Sequence, residues 1–289
     1  MRRTPGQVIG EHQAAGRDFT AGATKSFVRE QGEGEPVVLL HGVPASCFLY
    51  RKVIPPLARA GFRAIAFDFP GLGLAERPSD FYYSTAGLAS WTAQALDALA
   101  VDRCHLVVHD LGGPVGCEWA VRNPDRVQSL TVLNTPLKLG SFRPPWTMRP
   151  FRTPFARTYL ATMRRRTFAS LFYLQGVANR WAMPREEVWA YYDLLKLGDR
   201  GKAFLRIMQA FELTQAKQDL IWDGLRDRAY PAQIVWGERD PALGRDELLV
   251  AQEVLGIEDP TLLPAKHFLQ EDQALPLASK IADLARSTA

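Results

Sequence analysis

The stretch His105–Gly116, HLVVHDLGGPVG, runs an apolar strand straight into two glycines and the first turn of a helix. A carboxylate, Asp110, stands at the tightest point of that turn. A strand, sharp turn and helix in this order form a nucleophile elbow, in which a strained turn lifts one side chain clear of its neighbours. Gly112 and Gly113 permit close backbone approach, and Pro114 is tolerated in a helix's first turn. The helix N-terminus favours an anion, so Asp110 is predicted to be ionised at neutral pH. Read alone, an aspartate before a helix is ordinarily an N-cap. Catalysis needs partners from elsewhere in the chain.

An aspartate in this place selects a reaction type. Attack by a carboxylate on an ester would give an anhydride, a poor intermediate. Attack on a saturated carbon gives an ordinary alkyl ester, which activated water then hydrolyses at the carboxyl carbon. The predicted partners are therefore water and a small apolar electrophile with a leaving group on an sp³ carbon, either an epoxide or a carbon–halogen bond.

The elements needed to hold such a site recur along the chain. Six apolar runs read as buried parallel strands: EPVVLLHG, FRAIAFDF, CHLVVHD, SLTVLNT, AQIVWGE and PTLLPA. Helical patterns fall between them at Cys47–Ala60, Ser84–Ala100, Gly113–Asn123, Asp246–Leu255 and Gln273–Ala285. This alternation predicts an α/β fold with a doubly wound, mostly parallel sheet. From Pro136 to Tyr230 no strand is evident. A proline-rich stretch, FRPPWTMRPFRTPF, leads into helical patterns at REEVWAYYDLLKLG and GKAFLRIMQAFELTQAK. Residues 136–230 are expected to form an inserted helical cap, and 1–135 with 231–289 the core.

Composition narrows the class. Hydrophobic residues make up 47% of the 289, enough for a sizeable core. The formal charge of +4 is mild and interspersed, and no basic and aromatic residues alternate as in a nucleic-acid module. Three cysteines, Cys47, Cys104 and Cys117, lack metal-ligand spacing and read as buried thiols. The start MRRTPGQVIGEHQ has no apolar run behind its arginines, and no stretch is long and apolar enough to span a membrane. A cytoplasmic enzyme with no membrane partner, metal or cofactor is expected.

The motifs resemble the α/β-hydrolase superfamily, in its branch of haloalkane dehalogenases and epoxide hydrolases. LLHGVP, DFPGLGLAERP, VVHDLGG, VWGERDPAL and AKHFLQED follow the family's order and extend over almost everything after residue 35. The resemblance implies the α/β-hydrolase fold, with Asp110 as nucleophile, His267 as base and Asp240 as the acid that orients the imidazole. Some relatives carry the acid after the preceding strand, where this chain has Asn134. The backbone amides of Val43 and Leu111 are implied as the oxyanion hole.

The leaving group divides the branch. Haloalkane dehalogenases usually bind halide with a tryptophan directly after the nucleophile and an asparagine after HG or a second tryptophan in the cap. Leu111 and Val43 occupy the first two positions here. Epoxide hydrolases usually use cap tyrosines. Tyr159, Tyr192 and Trp181 are the candidate donors, and an epoxide hydrolase giving a vicinal diol is the leading expectation. Dehalogenation is the alternative, and a non-catalytic binding module of the same fold a further one. The arginines of the cap, Arg164, Arg165 and Arg166 with Arg149, Arg152 and Arg157, read as a solvated face, or as a site for an anionic substrate.

Overall fold

The computed structural model describes residues 3–181 and 183–288. Eight strands form one sheet: β1 (Arg17–Ala21), β2 (Thr24–Gln31), β3 (Pro36–Leu40), β4 (Arg63–Phe67), β5 (Cys104–Val108), β6 (Val127–Val132), β7 (Ala232–Gly237) and β8 (Thr261–Leu263). Their order is β1-β2-β4-β3-β5-β6-β7-β8. Every pairing from β4 through β8 is parallel, and β2 alone runs antiparallel to its neighbours β1 and β4. In β5 all five residues are buried, because helices cover both faces of the sheet there.

The six strands expected from apolar runs are all present. The residues before the first matched motif hold α1 (Pro5–Ala14) as well as β1 and β2. These two strands have short alternating patterns broken by charge, and their only buried apolar residues are Phe19, Ala21, Phe27 and Val28, beside the buried polar Thr24 and Ser26. Gly22, at φ +56°, closes the two-residue turn between them.

The core helices α2 (Ile54–Arg59), α3 (Thr85–Ala98) and α4 (Gly112–Arg122) alternate with the parallel strands. The pattern Cys47–Ala60 is not one helix. A 3₁₀ turn at Cys47–Lys52 precedes α2, because Pro55 and Pro56 lack the N–H groups a continuous helix would need. Between β6 and β7 the chain forms α5 (Ala156–Thr162), α6 (Arg165–Gln175), α7 (Arg185–Lys196), α8 (Lys202–Ala210) and α9 (Gln215–Arg226). The long pattern over 201–217 divides into α8 and α9, since Thr214 accepts the Lys217 N–H and caps a new helix. The helices α10 (Arg245–Leu255), α11 (Leu269–Asp272) and α12 (Ala274–Arg286) complete the fold. No helix among the described residues is long and apolar enough to cross a membrane.

Buried ionic contacts fix the α5–α9 segment on the rest. Lys217 Nζ lies 2.7 Å from Glu118 Oε2 on α4. Arg51 pairs with Glu187 of α7 and Glu271 of α11, and the Tyr191 hydroxyl donates to Glu271 at 2.6 Å. Such pairs add little net stability over an apolar filling, but losing one member strands a buried charge. They hold the helices in a defined place over the C-terminal ends of β3, β5 and β7.

Candidate active site

The loops after β3, β5, β7 and β8 converge at the carboxyl edge of the sheet, where open α/β folds place their ligands. Asp110 follows β5 at φ +50°, a left-handed conformation that costs a non-glycine residue about 1–3 kcal/mol. The surroundings hold it there. Its N–H donates to Asn134 O at 2.9 Å, and its carbonyl accepts from Gly113 N at 2.9 Å and from the Thr135 hydroxyl at 2.7 Å. The Val43 N–H donates to Asp110 Oδ1 at 2.7 Å. That approach requires Gly42, where a Cβ would lie 2.1 Å from Asp110 Oδ1.

His267, from the loop after β8, brings Nε2 to 3.4 Å from Asp110 Oδ2 and donates from Nδ1 to Asp240 Oδ2 at 2.8 Å. The Asp240 carboxylate uses all its acceptor sites. Oδ1 takes the N–H groups of Ala242 and Leu243, and Oδ2 takes His267 and the Asn134 amide. Behind the pair, His109 Nε2 lies 2.9 Å from the His267 carbonyl. A carbonyl only accepts, so this nitrogen carries the proton. Burial pushes the His109 pKa down to about 3, so His109 is a neutral donor.

Burial also disfavours charge on His267, but Asp240 and Asp110 outweigh it and push the imidazole up to about 10. Burial alone would raise Asp110. The His267 contact and the Val43 N–H instead hold it below the usual carboxylate range. Both shifts favour an imidazolium facing a carboxylate.

Asp110 and His267 open into an apolar cavity of about 120 Å³. Phe142, Phe151, Phe168, Phe172, Phe204 and Phe211 line it with three methionines, and Val43 and Leu111 flank Asp110 on its core side. The expected outer donors lie elsewhere. Tyr192 gives its hydroxyl to Met163 O at 2.7 Å, Tyr159 packs its ring on Phe151 outside the lining, and Trp181 is 82% exposed. None of the expected arginines lines the cavity. Arg165 pairs with Asp193 at 2.8 Å, and Arg152 donates to Met208 O. Two polar residues of the lining were not singled out from sequence: the Thr147 hydroxyl donates to Gln175 Oε1 at 2.8 Å. His109, Thr135 and the bracing role of Asn134 were missed as well. Only the HD and NT pairs after their strands hinted at them. Among the described residues no group of acidic, histidine and cysteine side chains is arranged to hold a metal ion.

An eight-stranded sheet with an acid at the elbow and a histidine after the last strand defines a hydrolase of the α/β type. A family model described as alpha/beta hydrolase fold matches residues 35–274, and the chain belongs to that family. It is 30% identical over 258 residues to a haloalkane dehalogenase of Mycobacterium marinum, covering 86% of this chain and 84% of that protein. It is 31% identical over 268 residues to haloalkane dehalogenase 2 of Mycobacterium tuberculosis, covering 88% and 89%. Among solved structures it resembles Cfl2 from Burkholderia cenocepacia, with a TM-score of 0.81, 24% identity and coverage of 94% and 95%. The protein is an enzyme of α/β-hydrolase type.

Proposed function

We propose that this enzyme hydrolyses carbon–halogen bonds, with Asp110 as nucleophile, His267 as base and Asp240 as its orienting acid. The observation that carries this reading is the placement of the eight tyrosines. Five of them donate to other protein groups: Tyr50, Tyr83, Tyr173, Tyr191 and Tyr192. Tyr82 is exposed, Tyr230 is buried away from the cavity, and Tyr159 packs on Phe151. No tyrosine stands among the described residues lining the cavity. An epoxide oxygen leaves as a strongly basic alkoxide and needs an acid, whereas a halide leaves as a stable anion and needs only solvation. The names of the relatives at 30 and 31% identity favour the same order. The epoxide-first expectation depended on cap tyrosines at the cavity, and the order of the two readings is reversed.

The geometry supports two steps. Asp110 Oδ2, free of the Val43 amide, attacks the carbon in line with the halogen. The carbon–oxygen bond forms as the halide departs with the bonding electrons. Oδ1 becomes the ester carbonyl, already facing the Val43 N–H, and the Leu111 amide is the second proposed donor. Esterification removes the negative charge beside His267, so the imidazole's pKa falls and it passes its proton to solvent. It then takes a proton from water as the water oxygen adds to Cγ of Asp110. The bond from Cγ to the alkyl oxygen breaks, the departing alkoxide takes the proton from His267 and leaves as the alcohol, and the new Asp110 carboxyl returns its proton to His267. Residues 136–230 act as the cap that closes the cavity. An engineered apolar cavity of about 150 Å³ holds benzene, so a site of this size suits a short haloalkane.

Intact mass of the His267→Gln variant tests the reading, since the ester forms but is not hydrolysed. With chloro- and bromoalkanes the protein should gain the alkyl group alone. Adducts carrying the whole mass of an epoxide, with none from haloalkanes, would restore the epoxide reading. No adduct from either panel would favour a binding module.

A further inference from the structure

We infer that the side-chain amide of Gln175, held in place by Thr147, is the donor that meets the departing halide. This deepens the carbon–halogen reading above and rests on it. In-line displacement sends the halide away from Asp110, so the amides of Val43 and Leu111, beside Asp110 on the core wall, stay with the carboxylate. The halide needs a donor on another wall. Gln175 and Thr147 are the only residues of the described lining, apart from Asp110 and His267, that carry a polar side chain. Both come from the stretch between β6 and β7 that faces the core.

The pair is built to present an N–H. The Thr147 hydroxyl donates to Gln175 Oε1, which fixes the amide so that Nε2 is its free end, and Nε2 makes no hydrogen bond to a described residue. The backbone is anchored as well. Gln175 O accepts the His267 N–H at 3.4 Å, and Gly176 O accepts the Phe268 N–H at 2.8 Å. The last turn of α6 is thereby fixed to the loop that carries the base. Thr147 is only 3% exposed, so its hydroxyl has no ready alternative in water. A neutral amide solvates an anion but does not hand over a proton. In this step the carbon–halogen bond breaks, the halogen keeps the electron pair, and no proton moves to it.

The test reads the alkylation rate in the His267→Gln background, by intact mass against time, with matched 1-chloro-, 1-bromo- and 1-iodoalkanes. Halide release by the otherwise unaltered protein is measured first. Gln175→Met keeps length and volume and removes the donor. It should slow alkylation by the chloroalkane about tenfold to a hundredfold, the bromoalkane less and the iodoalkane least, because a compact anion gains most from an N–H. Thr147→Val keeps the shape and removes the brace, and should give the same ranking with smaller factors. Equal slowing with all three halides would reduce Gln175 to a packing residue and overturn the inference. Unchanged rates would also overturn it. If the unaltered protein releases no halide from any of the three, the carbon–halogen reading has failed and the inference falls with it. That outcome is distinct from loss of Gln175's role alone.

Discussion

The amide of Asn134 and the imidazole of His267 donate to one and the same oxygen of Asp240, each at 2.8 Å. Asn134 also accepts the Gly237 N–H at 2.7 Å through its own Oδ1, so it ties the end of β6 to the end of β7 while aiming the carboxylate. A buried amide used at both ends is costly to replace, because each partner is left unsatisfied. Asn134→Leu should lower stability by about 1–3 kcal/mol in urea unfolding. It should also slow hydrolysis of the ester more than its formation. A variant equally slow in both steps would show Asn134 to be a structural tie only.

The charge coupling between Asp110 and His267 makes a prediction that needs no substrate. In the intact site the imidazole is raised to about 10, with Asp110 contributing through its charge and its contact. Asp110→Asn removes both contributions and leaves burial, which pulls the other way. The His267 titration midpoint, followed by NMR of the ring, should fall at least about one pH unit below that of the unaltered protein. The sign matters for turnover, since the ester on Asp110 lacks the same charge and His267 must be neutral to act as base. A midpoint that stays where it was would break this link between the two steps. Turnover by Asp110→Asn should be lost while its circular dichroism stays native.

Two other carboxylates follow His267 closely in sequence, and the structure gives each a different task. Glu271 is enclosed by Arg51, Lys52 and Tyr191, and Asp272 accepts the Ala178 and Asn179 N–H groups. Asp240→Asn should therefore cut turnover by several orders of magnitude with a modest loss of stability, because the imidazole loses its orienting acceptor. Glu271→Gln should do the reverse, lowering the melting temperature while keeping most of the activity. Comparable activity losses in both variants would reopen the choice of acid.

How much of this was legible in the sequence depends on the range of the interaction. The β5–Asp110–α4 unit is local: apolar run, acid, glycines and helix are contiguous, and their pattern alone places the elbow. That Asp110, Asp240 and His267 meet at one edge of the sheet was readable because each follows a strand that is itself an apolar run. The β1–β2 hairpin was not, since nine of its thirteen strand residues are polar or charged and its register depends on β4. Thr147 and Gln175 lie 28 residues apart, on an irregular stretch and a helix end, and nothing in either segment announces the other. The tyrosines failed as candidates for a related reason. A rotation of α5 or α7 by one position decides whether a ring faces the cavity, and periodicity does not specify helix orientation at that precision.

Gly42 provides the sharpest test of the elbow's geometry. Its backbone does not occupy the left-handed region, so alanine is tolerated by the chain itself. The three nearest obstructing atoms all belong to Asp110, whose Oδ1, Cβ and Cγ would lie 2.1, 2.3 and 2.5 Å from the new methyl carbon. Gly42→Ala must displace the carboxylate from the Val43 N–H, and turnover should fall at least about a hundredfold, as when an oxyanion donor is lost. The stability cost should depend on the aspartate. In a double-mutant cycle with Asp110→Gly, which also relieves the strain at φ +50°, the clash disappears, so Gly42→Ala should destabilise clearly in the parent and scarcely in the glycine background. Equal destabilisation in both backgrounds, measured by urea midpoints of the four proteins, would place the steric conflict elsewhere in the loop.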